Sequence, residues 1–205
     1  MENSNTYPTI YLCRHGDTAW SGERRLAGHT DIALAEVGRS NALRIGQRLR
    51  AIGFDAVLVS PLLRARQTAE LAGYGDSAVI EPRLKEMNFG RYEGLTTEEV
   101  RQQQPGWAYL RDGAPEGDNP DSLAERADSL LTDLRRQGGT ILIFGHSVIM
   151  RVLTARWLGQ APGFGRHLML SPGSISVLGY DSVEAAPAIA SWNDRHHLIG
   201  QDSLA

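Results

Sequence analysis

Apolar runs at residues 9–13, 54–59 and 140–144 each stop abruptly at a polar junction, and helix-forming sequence follows. Short runs of Ile, Leu, Val, Phe and Tyr are what strands buried on both faces require. Between the first two, Ala42, Ile45, Leu49 and Ile52 recur at spacings of three and four, the period of one helix face. Ser60-Pro61 reads as an N-cap with proline at the first helical position, opening a helix that reaches about Leu71. Val79 and Ile80 suggest a short strand. Thr96 to Glu99 and Ser122 to Glu125 read as capping boxes, the second opening a helix with Leu123, Ala127, Leu130 and Leu134 inward. Residues 148–158 read as helix, and residues 174–180 and 188–192 as late strands. The alternation specifies an α/β fold: a three-layer sandwich whose central, mostly parallel sheet is flanked by helices.

The chain has 205 residues, 41% of them hydrophobic, enough for one domain with a sizeable core. No internal repeat or low-complexity linker divides it, and polar residues 1–8 read as a flexible N-terminus. A net charge of -3 gives a polyanion such as nucleic acid no purchase. No apolar stretch approaches membrane-spanning length and no secretory leader is visible, so a cytoplasmic location is expected. The single cysteine, Cys13, excludes an internal disulfide framework and reads as a small buried strand residue. Oligomeric state has no signature here.

The polar junctions carry the chemistry. They are Arg14-His15-Gly16, Ser60 to Arg64, and Gly145-His146-Ser147. In a parallel sheet they fall on the edge where open α/β folds place ligands. Arg64 lies early in its helix, with its side chain directed back toward that edge. Ser147 opens a helix, whose free N–H groups suit an anion. Two histidines and two arginines would thus surround one phosphate-sized hole. His29 reads as a loop residue, and His167 as interior or edge. The adjacent His196-His197 does not form a metal clamp, because neighbouring side chains diverge and no carboxylate has ligand spacing. Residues 111–120, rich in Gly, Pro and Asp, read as a rim or lid.

Beyond these junctions the chain resembles the histidine phosphatase superfamily, the phosphoglycerate-mutase-like group, over nearly its whole length. The motifs that carry the resemblance are Arg14-His15-Gly16-Asp17-Thr18-Ala19-Trp20, Gly28-His29-Thr30-Asp31 and Ser60-Pro61-Leu62-Leu63-Arg64-Ala65-Arg66-Gln67-Thr68-Ala69. Leu84-Lys85-Glu86, Phe89-Gly90-Arg91-Tyr92-Glu93-Gly94 and Gly145-His146-Ser147 complete the set. The resemblance implies that His15 is the nucleophile that becomes phosphohistidine, with Arg14, Arg64 and His146 binding the phosphoryl group. It also implies Glu86 as proton donor to the leaving oxygen; the residues alone do not separate Glu86 from Glu81, Glu93 or Glu99. No metal or organic cofactor is implied, since paired arginines can neutralise a phosphoryl group.

The expected partner is a small phosphorylated metabolite, with Thr18 and Ser147 beside its phosphate. Hydrolase and mutase members share the phosphohistidine. Mutases usually carry a longer insertion than residues 96–120 and an asparagine where this chain has Ser21. Members with Trp-Ser at that place resemble phosphatases of sugar phosphates or bisphosphates, so a phosphomonoesterase is expected. A cofactor-dependent phosphoglycerate mutase is the alternative, followed by a phosphoprotein-directed or noncatalytic member. Ser21, Arg25, Gly28 and residues 116–119 are the candidate specificity determinants, Arg25 as the contact for a second anionic group.

Overall fold

The computed structural model describes residues 7–199. Strands β1 (Thr9–Arg14), β2 (Ala56–Val59), β3 (Ala78–Ile80), β4 (Thr140–Gly145), β5 (Ile175–Tyr180) and β6 (Pro187–Asp194) form one sheet, in the order β3-β2-β4-β1-β5-β6. The helices are α1 (Ala19–Gly22), α2 (Glu36–Leu49), α3 (Leu63–Leu71), α4 (Thr97–Gln103), α5 (Tyr109–Asp112), α6 (Pro120–Gln137) and α7 (Ser147–Trp157). The first four strands are mutually parallel, while β5 runs antiparallel to β1, and β6 antiparallel to β5. The sheet is therefore mostly parallel, and the two late strands are its antiparallel exception. A six-residue return explains the β5–β6 pairing: it is too short for a helical crossover, and Asp181 Oδ1 accepts the N–H groups of Val183 and Glu184 to turn the chain.

Side chains alternate across β4. Ile141 and Ile143 join Ile10, Leu12 and the inner faces of α6 and α7 on one side. Leu142 and Phe144 join Cys13, Val57, Val59 and the inner faces of α2 and α3 on the other. Both faces of the central strands are thus dry, which is why they read as continuous apolar runs. Cys13 lies fully buried among them, and burial pushes its thiol pKa up, away from the reactive thiolate.

Three local readings are corrected. Helix α3 starts at Leu63, two residues after Pro61, and no side chain of its N-cap residue closes it; instead the Leu63 N–H donates to Asp31 Oδ1 at 2.6 Å. The helix read from Ser122 starts at Pro120, with Asn119 as N-cap and Ser122 as its reciprocal partner. The proline at the first position, where its missing N–H costs nothing, fixes that start. At the N-terminus, residues 1–6 lie outside the described residues, but Tyr7 stacks on Tyr180 at 4.3 Å and Pro8 is buried. The Thr96 box forms as read, with Glu99 Oε2 accepting the Thr96 N–H at 2.7 Å. Among the described residues no helix is long and apolar enough to cross a membrane.

Candidate active site

The polar junctions after β1, β2 and β4 lie side by side, because Arg14 pairs with Gly145 and Val59 with Phe144 across the parallel ladders. His15 extends the ladder by one residue: its N–H donates to the Gly145 carbonyl and its own carbonyl accepts the Gly173 N–H, both at 3.0 Å. Gly16 is needed for a close backbone approach. A Cβ there would meet the Gly38 carbonyl oxygen of α2 at 2.4 Å.

The imidazole of His15 is buried, and its Nδ1–H donates to the Gly16 carbonyl at 2.7 Å. A carbonyl can only accept, so Nδ1 holds the proton and Nε2 keeps its lone pair. Burial, then the charges of Arg14 and Arg64, lowers the His15 pKa well below 6.5. The ring is neutral at physiological pH and nucleophilic at one defined nitrogen.

Arg64 is fully buried at the second position of α3. Its two terminal nitrogens donate to the carbonyls of Thr30 (3.1 Å), Ala27 (3.1 Å) and Gly28 (2.8 Å). That loop is itself held by Glu93, whose carboxylate accepts the N–H groups of Gly28, His29, Thr30 and Phe89 and the Thr30 hydroxyl. Burial alone would raise the Glu93 pKa, but these donors outweigh it and hold the carboxyl below its usual range. Gly28 serves this clamp and does not line the cleft. A Cβ on it would come within 2.0 Å of Glu93 Oε1 and 2.2 Å of the Met87 carbonyl oxygen.

His146 is fully buried, its ring centroid 5.1 Å from that of His15. Its Nε2 meets Ser60 Oγ at 2.7 Å, and Ser60 Oγ accepts the Leu62 N–H at 3.3 Å. Ser60 is fully buried, and among the described residues its hydroxyl has no acceptor other than Nε2, so it donates its proton there and the His146 proton sits on Nδ1. Burial, then the charges of Arg64 and Arg14, lowers the His146 pKa well below 6.5. Ser60, read from sequence as a helix cap, therefore sets a tautomer.

Arg14 Nε, Arg64 Nε and His146 Nδ1 are all buried without a hydrogen-bond partner. An unmet buried donor costs about 1–3 kcal/mol, so three in one site mark a place shaped for an acceptor-rich anion. Arg14 remains charged although burial pulls its pKa down to about 10, and it also donates to the Leu170 carbonyl.

Glu86 takes the helix N-terminus that the sequence reading gave to a substrate anion. Its carboxylate accepts the N–H groups of Val148 and Ile149 of α7 at 3.0–3.1 Å, and that of Met87 at 2.9 Å. Arg14, His15, Glu86 and Ser147 line a cleft of about 190 Å³, with Arg64 and His146 buried behind them. Thr18, Ser21, Arg25 and Thr97 add polar lining, and Leu26, Ala27, Phe89, Tyr109 and Val148 apolar lining. The apolar wall was not read from the sequence; only Phe89 lies within a motif quoted there. Tyr109 is fixed by Arg151, which donates to its hydroxyl at 2.6 Å.

Thr18 and Ser21 cap α1 reciprocally, so both hydroxyls have partners already. Arg25 donates to Glu23 Oε2 at 2.6 Å and to the Gly94 carbonyl at 2.8 Å. Residues 116–119 stay off the cleft: Glu116 pairs with Arg91, and Asp118 binds the backbone of Asn88. His29 and His167 are exposed, the latter against its expected interior or edge position. His196 contacts Asp194 at 3.0 Å, a carboxylate the sequence reading did not count, while His197 turns to the Gly173 carbonyl. Among the described residues no group of three or more His, Cys, Asp and Glu side chains is placed to hold a metal ion.

Comparison with known proteins agrees with this architecture. Residues 10–195 match the family model described as histidine phosphatase superfamily (branch 1). The chain is 33% identical over 192 residues to the "Probable phosphoglycerate mutase GpmB" of Erwinia tasmaniensis, covering 89% of this chain and 88% of that protein. It is 33% identical over 176 residues to an acid phosphatase of Mycobacterium tuberculosis, covering 84% and 86%. The fold also matches phosphoserine phosphatase of Entamoeba histolytica, solved with 3-phosphoglyceric acid, at a TM-score of 0.81 and 27% identity over 94% of this chain and all of that one. With family model, relatives and fold in agreement, this chain belongs to branch 1 of the histidine phosphatase superfamily.

Proposed function

We propose that this phosphatase hydrolyses small phosphorylated metabolites of about sugar-phosphate size, without a metal, through a phosphohistidine at His15. The observation that carries the reading is the trio of buried, unpartnered donors on Arg14, Arg64 and His146 around a neutral imidazole with a free Nε2.

In the first step Nε2 of His15 attacks phosphorus and the P–O ester bond breaks. Glu86, which takes up a proton as the substrate's phosphate binds beside it, passes that proton to the leaving oxygen, a transfer worth about 10²–10⁴-fold. Arg14 and Arg64 neutralise the equatorial oxygens, and Nδ1–H of His146 donates to one of them. Between the steps Glu86 is a carboxylate, stabilised by the Met87, Val148 and Ile149 N–H groups. In the second step water attacks phosphorus, gives its proton to Glu86, and the N–P bond breaks. Phosphate leaves, and both residues regain their starting protonation.

Hydrolysis is favoured over phosphoryl return because residues 113–119 are tied down against Asn88 and Arg91 and form no cover over His15. Acid-labile labelling from a phosphomonoester, followed by phosphate release, is the expected result. His15→Ala should abolish both, lowering turnover by roughly 10⁴-fold or more. Labelling that persists in this variant overturns the nucleophile. Efficient isomerisation of 3-phosphoglycerate with its bisphosphate primer, with negligible phosphate release, replaces the hydrolase by a mutase. A phosphopeptide panel outperforming sugar phosphates would make the enzyme protein-directed.

A further inference from the structure

The cleft carries its charge unevenly. At its floor Arg14 and Arg64 face one carboxylate, Glu86, beside two neutral histidines. At its rim the cation is Arg25, and its charge is already answered. Glu23 holds its Nε at 2.6 Å, one terminal nitrogen is turned to the Gly94 carbonyl, and Glu99 lies close enough to act on it as well. Glu99 is fixed in place by the N–H and hydroxyl of Thr96. The Arg25 charge is thus answered by neighbouring carboxylates before a ligand arrives.

The apolar part of the lining is preformed. Phe89 meets the Tyr109 ring edge to face at 5.9 Å, and the Arg151 guanidinium sits 5.7 Å from that ring. Leu26 and Val148 extend the same surface. A rigid aromatic and aliphatic lining attracts the flat or hydrocarbon part of a ligand, and the one cation beside it, Arg151, already donates to the Tyr109 hydroxyl and the Gly165 carbonyl.

We infer that the preferred substrate is the monophosphate of an uncharged alcohol with an apolar face, rather than a bisphosphate or a phosphorylated acid. The inference rests on the phosphatase reading above and narrows it to the leaving group. A second phosphate or carboxylate would have to displace Glu23 and approach Glu99, or lose hydration against Phe89, Leu26 and Val148.

Phenyl phosphate and 3-carboxyphenyl phosphate test this as a matched pair, since their phenols are of nearly equal acidity. The expected kcat/KM favours phenyl phosphate by about 10-fold in the unmodified enzyme. Glu23→Gln, a change at an exposed side chain, should free Arg25 and narrow the gap about threefold, with the phenyl value unmoved. Tyr109→Ala should raise KM several-fold for phenyl phosphate and leave it unchanged for methyl phosphate. Equal or better hydrolysis of the carboxylated ester, a gap unaltered by Glu23→Gln, or equal losses on the phenyl and methyl esters in Tyr109→Ala overturns the inference. If no ester is turned over and no phosphoenzyme forms, it is the phosphatase reading that falls.

Discussion

Arg64 and Arg25 place the same guanidinium at the floor and rim of one cleft, and their partners differ in kind. Arg64 is fully buried and held by three backbone carbonyls, dipoles that orient it without cancelling its charge. Arg25 is half-buried and paired with a full carboxylate two residues away. Carbonyl dipoles leave Arg64 available to an incoming anion, whereas an ion pair spends Arg25 on its neighbour. Glu86 follows the floor's pattern, fixed by N–H dipoles. The floor is therefore built for charge, and the rim for shape.

The comparison breaks most readily at Glu86. Glu86→Gln keeps acceptors for the surrounding N–H groups but removes the proton, so kcat should fall by about 10²–10⁴-fold on alkyl phosphates and much less on esters with acidic leaving groups. Equal losses on both kinds of ester would deny it the acid's role. Next is Arg64→Lys. An ammonium cannot span the Ala27, Gly28 and Thr30 carbonyls and still reach phosphate, so kcat/KM should drop by roughly 10²–10³-fold. Near-normal activity there would show that charge alone suffices and the carbonyl clamp does not matter.

Ser60→Ala sharpens the picture at smaller scale. Without its donor the His146 ring can shift its proton to Nε2, and kcat should fall about 10-fold, the value of one buried hydrogen bond. Nitrogen NMR of the imidazole should register the tautomer change, and Ser60→Thr should restore both readouts. A further effect lies in stability. His15 and His146 titrate well below 6.5 when folded and near ~6.5 when unfolded. As pH falls below ~6.5 the unfolded chain binds protons that the folded one does not. Stability then declines toward the folded pKa values, by at most ~1.4 kcal/mol per pH unit for each histidine. Tm measured from pH 7 to 5 should fall, and His15→Asn should flatten part of that slope.

The strands were legible because their burial is written locally: β4 is apolar at nearly every position, and its end at Gly145-His146 is where the run stops. The floor residues were legible because they sit at such ends or within spaced motifs. What the sequence hid depends on partners far along the chain. Ser60 has a cap's chemistry and a cap's place before proline, yet its partner is His146, 86 residues on. Glu93 looks like one loop carboxylate among several until residues 28–30 fold against it. Ser122 was misplaced for a different reason: Asn119-Pro120 and Ser122-Leu123 are both plausible helix starts, and proline at the first position decides between them.

The hydrogen bonds that grip the peptide at His15 from both flanks, Gly145 on one side and Gly173 on the other, have a mechanical consequence. In the mechanism proposed above, a nucleophile whose backbone is so anchored has little room to recoil as its new bond forms. The travel needed for transfer would then fall on phosphorus, swinging between a leaving oxygen and a nearly stationary nitrogen. On that reading the sheet acts as an anvil, and the moving part is the substrate.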